Sequence, residues 1–342
     1  MTFAGGLCAC HGYIGPPSSH FDGKVFFNPD APEDHSFFDM VKWLWQMETV
    51  QWPAWIEDPP MPTPPRKVEG EGLRVTYINH ATILIQMLGT NILTDPIWSK
   101  RAGPLAWLGP QRVRDPGIRF ENLPKVDYVL ISHNHHDHMD QPTLEKLARR
   151  DNPVVLAGLG LKRFLRGMGF AEVIELDWWE SYKRTTGNSE IFFVPGKHNS
   201  GRGLFDSNKT LWGGFVIDSP WGAVYFAGDT AFESMFQQIA KRFTNLRLAI
   251  LPIGSYEKRW FMKHQHMNPD DAVKAHKILK PSQSMGMHYA TFREHPEQSI
   301  DAHEQDLASA LKHHAIDRRR FWILGFGEGR DVPPISGRER FP

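Results

Sequence analysis

The sequence predicts an α/β fold in which two packed β-sheets are flanked by helices. Short apolar, β-branched runs separated by turn residues dominate the chain from Leu73 onward, and stretches with helical spacing lie between some of them. Hydrophobic residues form 41% and aromatic residues 12% of the 342 positions, which allows a substantial core. We find no internal repeat at a fixed period.

The strands are predicted where apolar and β-branched residues stand between turn residues. They are Leu73–Ile78, Thr82–Met87, Thr90–Leu93, Tyr128–Ser132, Val154–Ala157, Glu190–Val194, Thr210–Ile217, Ala223–Ala227, Leu246–Pro252, Gln283–Met287 and Phe321–Leu324. Helices are predicted at Pro142–Arg149, Ser234–Arg242, Asn268–Leu279 and Ile300–His313. The third of these helices has the clearest start, because Asn268 is an N-cap residue and Pro269 suits the first helical position.

The first 66 residues differ from the rest and are predicted to form an N-terminal arm, an aromatic helix and a proline-rich strap. Residues 1–25 are rich in Gly, Pro, Ser and His. His35–Met47 is apolar nearly all round, and residues 52–66 are rich in proline, which favours a stiff extended segment. The aromatic helix could pack on the sheets as core or contact a membrane, and both alternatives stay open here. Residues 67–342 are predicted to form the sandwich domain.

Charge and cysteine content exclude several classes of protein. Lys plus Arg and Asp plus Glu each number 39, and no basic run or stripe is present, so a nucleic-acid partner is not predicted. Cys8 and Cys10 are the only cysteines, so there is no disulfide framework. No stretch approaches the roughly 18 apolar residues of a membrane span. Leu7–Cys10 faintly resembles a lipoprotein cleavage box, which leaves an upstream signal open. The location is therefore left unknown, with the cytoplasm and the cell envelope as the two alternatives.

The segment after the strand at Tyr128 has the composition of a metal site. Residues 133–138 hold four histidines and one aspartate in the pattern H-x-H-x-D-H. Imidazoles and a carboxylate at a strand end suit a first-row divalent metal, zinc above all. The alternative is a polar loop that happens to be rich in histidine.

Three further candidate ligands also stand where strands end. A two-metal site needs about seven protein donors, one of which bridges ions about 3.5–4 Å apart. His198, Asp229 and His288 each follow an apolar strand, and Gly228 would let the backbone at Asp229 come close to an ion. Each residue alone could be an ordinary capped strand end. The shared context favours ligands, so the predicted set is His133, His135, Asp137, His138, His198, Asp229 and His288.

In order and type, these motifs resemble those of the metallo-β-lactamase superfamily. The resemblance implies an αβ/βα sandwich of two mixed β-sheets flanked by helices. It implies two zinc ions, with Mn²⁺ or Fe²⁺ as alternatives. One ion would be held by His133, His135 and His198, the other by Asp137, His138 and His288, and Asp229 would bridge them. Asp95 and His80 would lie behind the ligands and orient them.

Longer strings resemble the family of phospholipase D enzymes that hydrolyse N-acylphosphatidylethanolamine. They are residues 174–180, 253–257 and 259–266, and the similarity runs from about Phe26 to Gly329. The resemblance implies that His266, His136 and Tyr256 contact substrate. The chain departs from the family at His136 and His264, where the family has tyrosine, at Asn79, where it has glycine, and at residues 199–202, which do not match its bile-acid-responsive segment.

The predicted activity is hydrolysis of an N-acylphosphatidylethanolamine-type phospholipid to phosphatidic acid and N-acylethanolamine. A hydroxide bridging the two metals would attack phosphorus directly, since no serine or cysteine nucleophile arrangement is apparent. Asp137, Asp229 and His266 would be catalytic, with His266 and His136 donating hydrogen bonds to the phosphate. A phospholipid substrate, peripheral membrane contact and a homodimer are the partner predictions. The alternatives are hydrolysis of a soluble phosphodiester, lactone or lactam, and a metal-binding or envelope-associated protein without turnover.

Overall fold

A computed structural model describes residues 12–29, 37–46, 50–184, 188–293 and 298–335. Fourteen strands form two sheets of seven. The first sheet contains β1 (Leu73–Asn79), β2 (Thr82–Met87), β3 (Thr90–Thr94), β4 (Tyr128–Ile131), β5 (Val154–Gly158), β6 (Val173–Leu176) and β14 (Gly329–Asp331). The second contains β7 (Ser181–Lys183), β8 (Glu190–Val194), β9 (Gly214–Asp218), β10 (Ala223–Phe226), β11 (Leu246–Pro252), β12 (Gln283–Met287) and β13 (Phe321–Trp322).

Both sheets are mixed, and this places several strand ends at one edge. The first sheet has the order β14-β1-β2-β3-β4-β5-β6 and is parallel from β3 to β6. The second has the order β13-β12-β11-β10-β9-β8-β7 and is parallel from β10 to β13. Because parallel strands all run the same way, the loops after β3, β4, β10 and β12 leave their sheets at matching edges.

Helices flank the sheets. They are α1 (Phe37–Trp45), α2 (Gln141–Arg150), α3 (Lys162–Gly167), α4 (Met235–Arg242), α5 (Arg259–Met262), α6 (Pro269–Leu279) and α7 (Ala302–His313), with a 3₁₀ turn at Phe120–Asn122. β4 shows how the layers form, since its side chains alternate between faces. Tyr128 and Leu130 join the core between the sheets, whereas Val129 and Ile131 pack in the cluster that includes α2 and α3.

The described N-terminal residues pack on the sandwich. Phe21 and Phe26 are buried in its main core. The strap is hydrogen-bonded along its length, with the amide of Ile56 donating to the carbonyl of Val113 at 2.7 Å and the side chain of Gln86 donating to the carbonyl of Pro65 at 2.7 Å. The domain boundary at residue 66 stays a prediction.

The aromatic helix covers Phe37–Trp45 of the predicted His35–Met47, whose remaining positions lie partly outside the described residues. Trp43 stacks on Phe261 of α5 with ring centroids 5.2 Å apart. Phe38, Val41 and Trp45 are exposed, with Trp45 retaining 86% of its accessible surface. Their exposure leaves part of the apolar surface of the predicted aromatic helix turned to solvent.

The structure corrects some boundaries and adds elements. The strand predicted at Thr210–Ile217 begins only at Gly214, because the amide of Gly213 donates to the carbonyl of Ser132 and the preceding residues belong to a loop. Strands β6, β7 and β14 and helices α3 and α5 were not predicted. Within the described residues, every helix falls short of the length and apolar content needed to cross a bilayer.

Candidate metal centre

The predicted ligands meet at one edge of the sandwich, each in a loop that follows a strand. The histidine-rich loop follows β4, His198 follows β8, Asp229 follows β10, and His288 follows β12. The side chains of His133, His138, His198, Asp229 and His288 are all almost completely buried. Residues distant in the sequence are thus brought together by the topology.

Three of these histidines form a first cluster. Nε2 of His133 lies 2.8 Å from Nδ1 of His135, and Nε2 of His198 lies 3.3 Å from the same nitrogen. These three nitrogens are close enough to one another to hold a single ion. The cluster has the same members as the first ion site predicted from the sequence.

A second cluster surrounds Asp137. Its Oδ2 lies 3.2 Å from Nε2 of His138 and 3.7 Å from Nε2 of His288. Nε2 of His80 also approaches this oxygen, at 3.0 Å, so that His80 belongs to the same potential ion-binding group. The sequence placed His80 behind the ligands, and the geometry places it beside one of them.

Asp229 lies between the two clusters. Its Oδ2 is 3.2 Å from Nε2 of His138, 3.1 Å from Nε2 of His288 and 3.8 Å from Nε2 of His198. This is where a bridging carboxylate has to be. Gly228 makes the approach feasible: its φ is +61°, and a Cβ there would lie 2.6 Å from Cβ of Ser132.

Asp95 organises the histidine loop from behind. Its fully buried carboxylate accepts hydrogen bonds from Nδ1 of His138 at 2.7 Å and from the hydroxyl of Ser132 at 2.6 Å. Since that hydroxyl gives its proton to Asp95, it accepts the bond from Nδ1 of His133 at 2.9 Å. His133 and His138 therefore carry a proton on Nδ1, and their Nε2 atoms face the clusters. Ser132 was not identified from the sequence.

His198 is held in the same way, because its Nδ1 donates to the carbonyl of Gln265 at 3.1 Å. The Nε2 lone pairs of His133 and His198 thus converge on His135. Burial lowers the pKa of His133 well below its usual range and lowers that of His135 to about 3, so these rings stay neutral at physiological pH. Nδ1 of His135 can donate a proton to only one of these two acceptors, whereas a shared cation would serve all three nitrogens.

Two buried polar atoms support the fit to a cation directly. Among the described residues, neither Nε2 of His138 nor Oδ1 of Asp229 has a hydrogen-bond partner. Buried polar atoms are seldom left in this state, and a metal ion would account for both. The donor set is nitrogen and carboxylate oxygen, which suits zinc, manganese or iron.

Three residues at the same edge have strained backbone conformations. His80, Asp95 and His288 all have positive φ values, of +47°, +34° and +63°. Such conformations cost residues other than glycine of order 1–3 kcal/mol each and gather at functional sites. The amide of His288 donates to the carbonyl of His80 at 2.8 Å, which ties two of these strained positions together.

The predicted substrate contacts differ in where they lie. Nδ1 of His266 is 3.8 Å from Oδ2 of Asp229, so this ring belongs to the centre. Nε2 of His136 donates to the carbonyl of Arg202 at 3.1 Å, which leaves a neutral ring only an acceptor at Nδ1. In this orientation a neutral His136 ring has no N–H left to donate to a phosphate, contrary to the prediction from the sequence. The Tyr256 hydroxyl donates to Asp306 of α7 at 2.5 Å, and its substrate role stays a prediction.

Comparison with known proteins agrees with this geometry. A family profile described as "Beta-lactamase superfamily domain" matches residues 90–289. N-acyl-phosphatidylethanolamine-hydrolyzing phospholipase D 1 of Caenorhabditis elegans is 37% identical over 231 residues, which are 65% of this chain and 65% of that protein. The mitochondrial phospholipase D of the same description from Saccharomyces cerevisiae is 35% identical over 240 residues, or 68% of this chain and 51% of that protein. The chain thus spans two thirds or less of these relatives.

The fold has counterparts among solved structures. Igni18, a metallo hydrolase from Ignicoccus hospitalis, superposes with a TM-score of 0.57 at 24% identity, covering 77% of this chain and 99% of that one. This likeness confirms the predicted fold class. The family match and the named relatives support a metal-dependent hydrolase.

Proposed function

Because the chain belongs to the β-lactamase superfamily, we propose that it is a di-metal phosphodiesterase acting on N-acylphosphatidylethanolamine-type phospholipids. The products would be phosphatidic acid and N-acylethanolamine. The observation that carries the proposal is the position of Asp229, whose carboxylate lies between two clusters of buried ligands. The named relatives in worm and yeast support the substrate.

We assign one ion to His133, His135 and His198 and the other to Asp137, His138 and His288, with Asp229 shared; zinc is the proposed metal. Two such ions would supply Lewis acidity toward a phosphoryl oxygen and lower the pKa of water. The chain's own part is to hold the donors in place. Asp95 and Ser132 orient two ligand rings.

His266 is the residue of this chain that we place against the substrate. Its ring makes an edge-to-face contact with the His198 ring, with centroids 5.2 Å apart, and 8% of the accessible surface of the residue stays exposed. From there an N–H can donate to a nonbridging phosphate oxygen as negative charge develops. The Ser132 hydroxyl is fully buried behind the ligands and donates to Asp95, so we do not assign it as a nucleophile. We propose that water attacks phosphorus and that no phosphatidyl group is transferred to the protein.

A lipid substrate is supported by exposed apolar side chains on three elements linked to the site. They are Phe38, Val41 and Trp45 on α1, Leu105, Trp107 and Leu108 in one loop, and Leu204 and Phe205 in another. α1 packs on α5, from which Arg259 donates to the carbonyl of His266 at 2.8 Å. The loop that carries Leu204 begins at His198. The loop that carries Trp107 follows Ser99, whose hydroxyl donates at 2.8 Å to Asp140, the second residue after His138. Exposed apolar groups around a site mark interaction surfaces, and aromatic ones favour the membrane interface.

A panel of phospholipids and soluble phosphodiesters, with products identified by mass spectrometry, tests the proposed reaction. In water enriched with ¹⁸O, the label should appear in phosphatidic acid and not in N-acylethanolamine. Added butanol should give no phosphatidylbutanol. Turnover of soluble esters alone would replace the lipid proposal with the alternative, and abundant phosphatidylbutanol would contradict direct attack by water.

Vesicle binding tests the membrane contact. Replacing Trp45 with Glu removes an exposed apolar ring of α1, and losing about 50 Å² of buried apolar contact should weaken vesicle binding about tenfold. Hydrolysis of a short-chain soluble diester and the melting temperature should stay unchanged. The matched control is Trp221→Glu, since Trp221 is also exposed but lies in the turn before β10, at the opposite edge from Asp229. Equal effects of both variants would remove the membrane assignment. Whether two copies of the chain pair stays a prediction.

A further inference from the structure

The loop after His198 contains an arginine that neither the motifs nor the proposed reaction uses. We propose that Arg202 is a positioning residue that closes the histidine-rich loop and sets the metal affinity of both ion sites. The inference rests on the proposed metal centre, and it is independent of which substrate is hydrolysed.

The geometry of the guanidinium carries the proposal. Nη1 of Arg202 donates to the carbonyl of Asn134 at 2.8 Å and to the carbonyl of Met139 at 2.8 Å. Between those two carbonyls lie His135, Asp137 and His138, the ligands this loop contributes. One charged donor therefore joins the start and the end of the ligand-bearing segment.

These bonds matter because the carbonyls have little access to water. Asn134 and Met139 are both fully buried. A buried carbonyl that loses its donor retains the desolvation penalty, so the loop is expected to shift to satisfy it. Bonds from a charged donor are also roughly twice as strong as neutral ones.

The backbone around Arg202 is itself held by hydrogen bonds. The buried carboxylate of Asp206 accepts hydrogen bonds through Oδ1 from the amides of Arg202 at 3.0 Å and Gly203 at 2.8 Å. The Asn134 side chain accepts from the amide of Gly201 at 2.7 Å, so the two loops are joined in both directions. The guanidinium carbon also lies 5.5 Å from the centre of the Phe164 ring.

The consequence reaches both ion sites because the loop serves both. His135 belongs to the first cluster, and Asp137 and His138 belong to the second. Partners that orient metal ligands typically contribute about 10- to 100-fold in metal affinity. Arg202 acts on the backbone of the ligands, and a change at this position should weaken the two sites together.

The test is zinc affinity of the full chain, measured by competition with a chromogenic chelator, for Arg202→Ala, Arg202→Lys and Arg163→Ala. Arg202→Ala should raise the zinc Kd at both sites by about 10-fold or more, and saturating zinc should restore most activity. Arg202→Lys should recover part of the affinity, because an ammonium can still donate to these carbonyls. Arg163→Ala is the charge-matched control, since Arg163 is exposed beside Phe164 on α3, and it should bind zinc like the wild type.

Asp206→Ala keeps Arg202 and removes only the acceptor of its backbone amide, so it provides a milder variant if Arg202→Ala does not fold. It should raise the zinc Kd by a smaller factor. A folded Arg202→Ala protein, or a folded Asp206→Ala protein, with wild-type zinc affinity would overturn the proposal. If zinc binding depends on Arg202 but the protein does not hydrolyse phospholipids, the role of Arg202 is supported and the proposed substrate is rejected.

Discussion

Two sets of histidines among the described residues differ in what surrounds their rings: the crowded set of the metal centre, and the isolated His276 and His303. At the strand-end edge, the rings of His133, His135 and His198 approach one another with centroids 4.5–5.1 Å apart, and their lone pairs converge. Elsewhere, His276 and His303 are each buried alone. Nδ1 of His276 contacts the hydroxyl of Ser284 at 2.8 Å, and His303 stacks on Tyr289 with centroids 4.3 Å apart.

The comparison shows that burial alone does not identify a metal ligand. Burial lowers the pKa of rings in both groups, to about 3 for His135 and to about 4 for His276 and His303, whereas the carboxylates of Asp229 and Asp137 raise the pKa of His138. What separates them is the neighbour: the isolated rings contact a hydroxyl or an aromatic face, whereas the crowded rings contact other imidazoles and carboxylates. Only the second arrangement gains from a divalent cation.

The largest expected effect comes from removing a crowded ring. His138→Ala deletes the nitrogen that lies 3.2 Å from both Asp137 and Asp229. We expect one of two bound ions to be lost and kcat/KM to fall by at least about 1,000-fold, because the chemistry depends on the pair of ions. Elemental analysis of the purified variant and steady-state kinetics measure both quantities. His276→Ala is the control from the isolated group and should keep both ions. One ion per chain in fully active wild-type protein would contradict the two-metal assignment.

A smaller effect is expected from the carboxylate that orients the crowded rings. Asp95→Asn keeps the shape of the side chain but lets an amide replace the oxygen that accepts from His138 and Ser132. The zinc Kd should rise about 10- to 100-fold, with activity recovering as zinc is added. Isothermal or chelator titration of folded protein gives the result. An unchanged Kd would mean that the ligand rings are held by packing alone.

The sequence predicted this crowded group well because its signal is local. His133–His138 lie together directly after a buried strand, and His198, Asp229 and His288 each end a strand of their own. The fold then brings these four strand ends to one edge of the sandwich. The same logic predicted the positions of most strands and of α2, α4, α6 and α7.

Features that depend on distant partners were not predictable in this way. β14 has the sequence Gly-Arg-Asp and is recognised only by its pairing with β1. β9 starts late because Leu211 and Gly213 bond to other loops, to the carbonyls of Leu159 and Ser132. The contacts of Arg202 with the histidine loop likewise join residues more than 60 positions apart, and no local sequence pattern predicts them.

The smallest expected effect is on stability, and it belongs to the isolated group. Because the pKa of His276 is about 4 in the folded protein and the ordinary value is 6.5, the unfolded chain takes up this proton first as the pH falls. Its contribution is complete above pH 6.5 and is lost progressively between pH 6.5 and 4. Between pH 7 and 5.5 this amounts to about 1 kcal/mol of unfolding free energy. Urea unfolding of the wild type and of His276→Gln at both pH values, with equal zinc, should give a pH dependence smaller by that amount in the variant. An equal pH dependence in the two proteins would mean that His276 can be protonated in the folded protein at no cost in stability. Burial would then not lower the pKa of an isolated histidine, which contradicts the comparison drawn here.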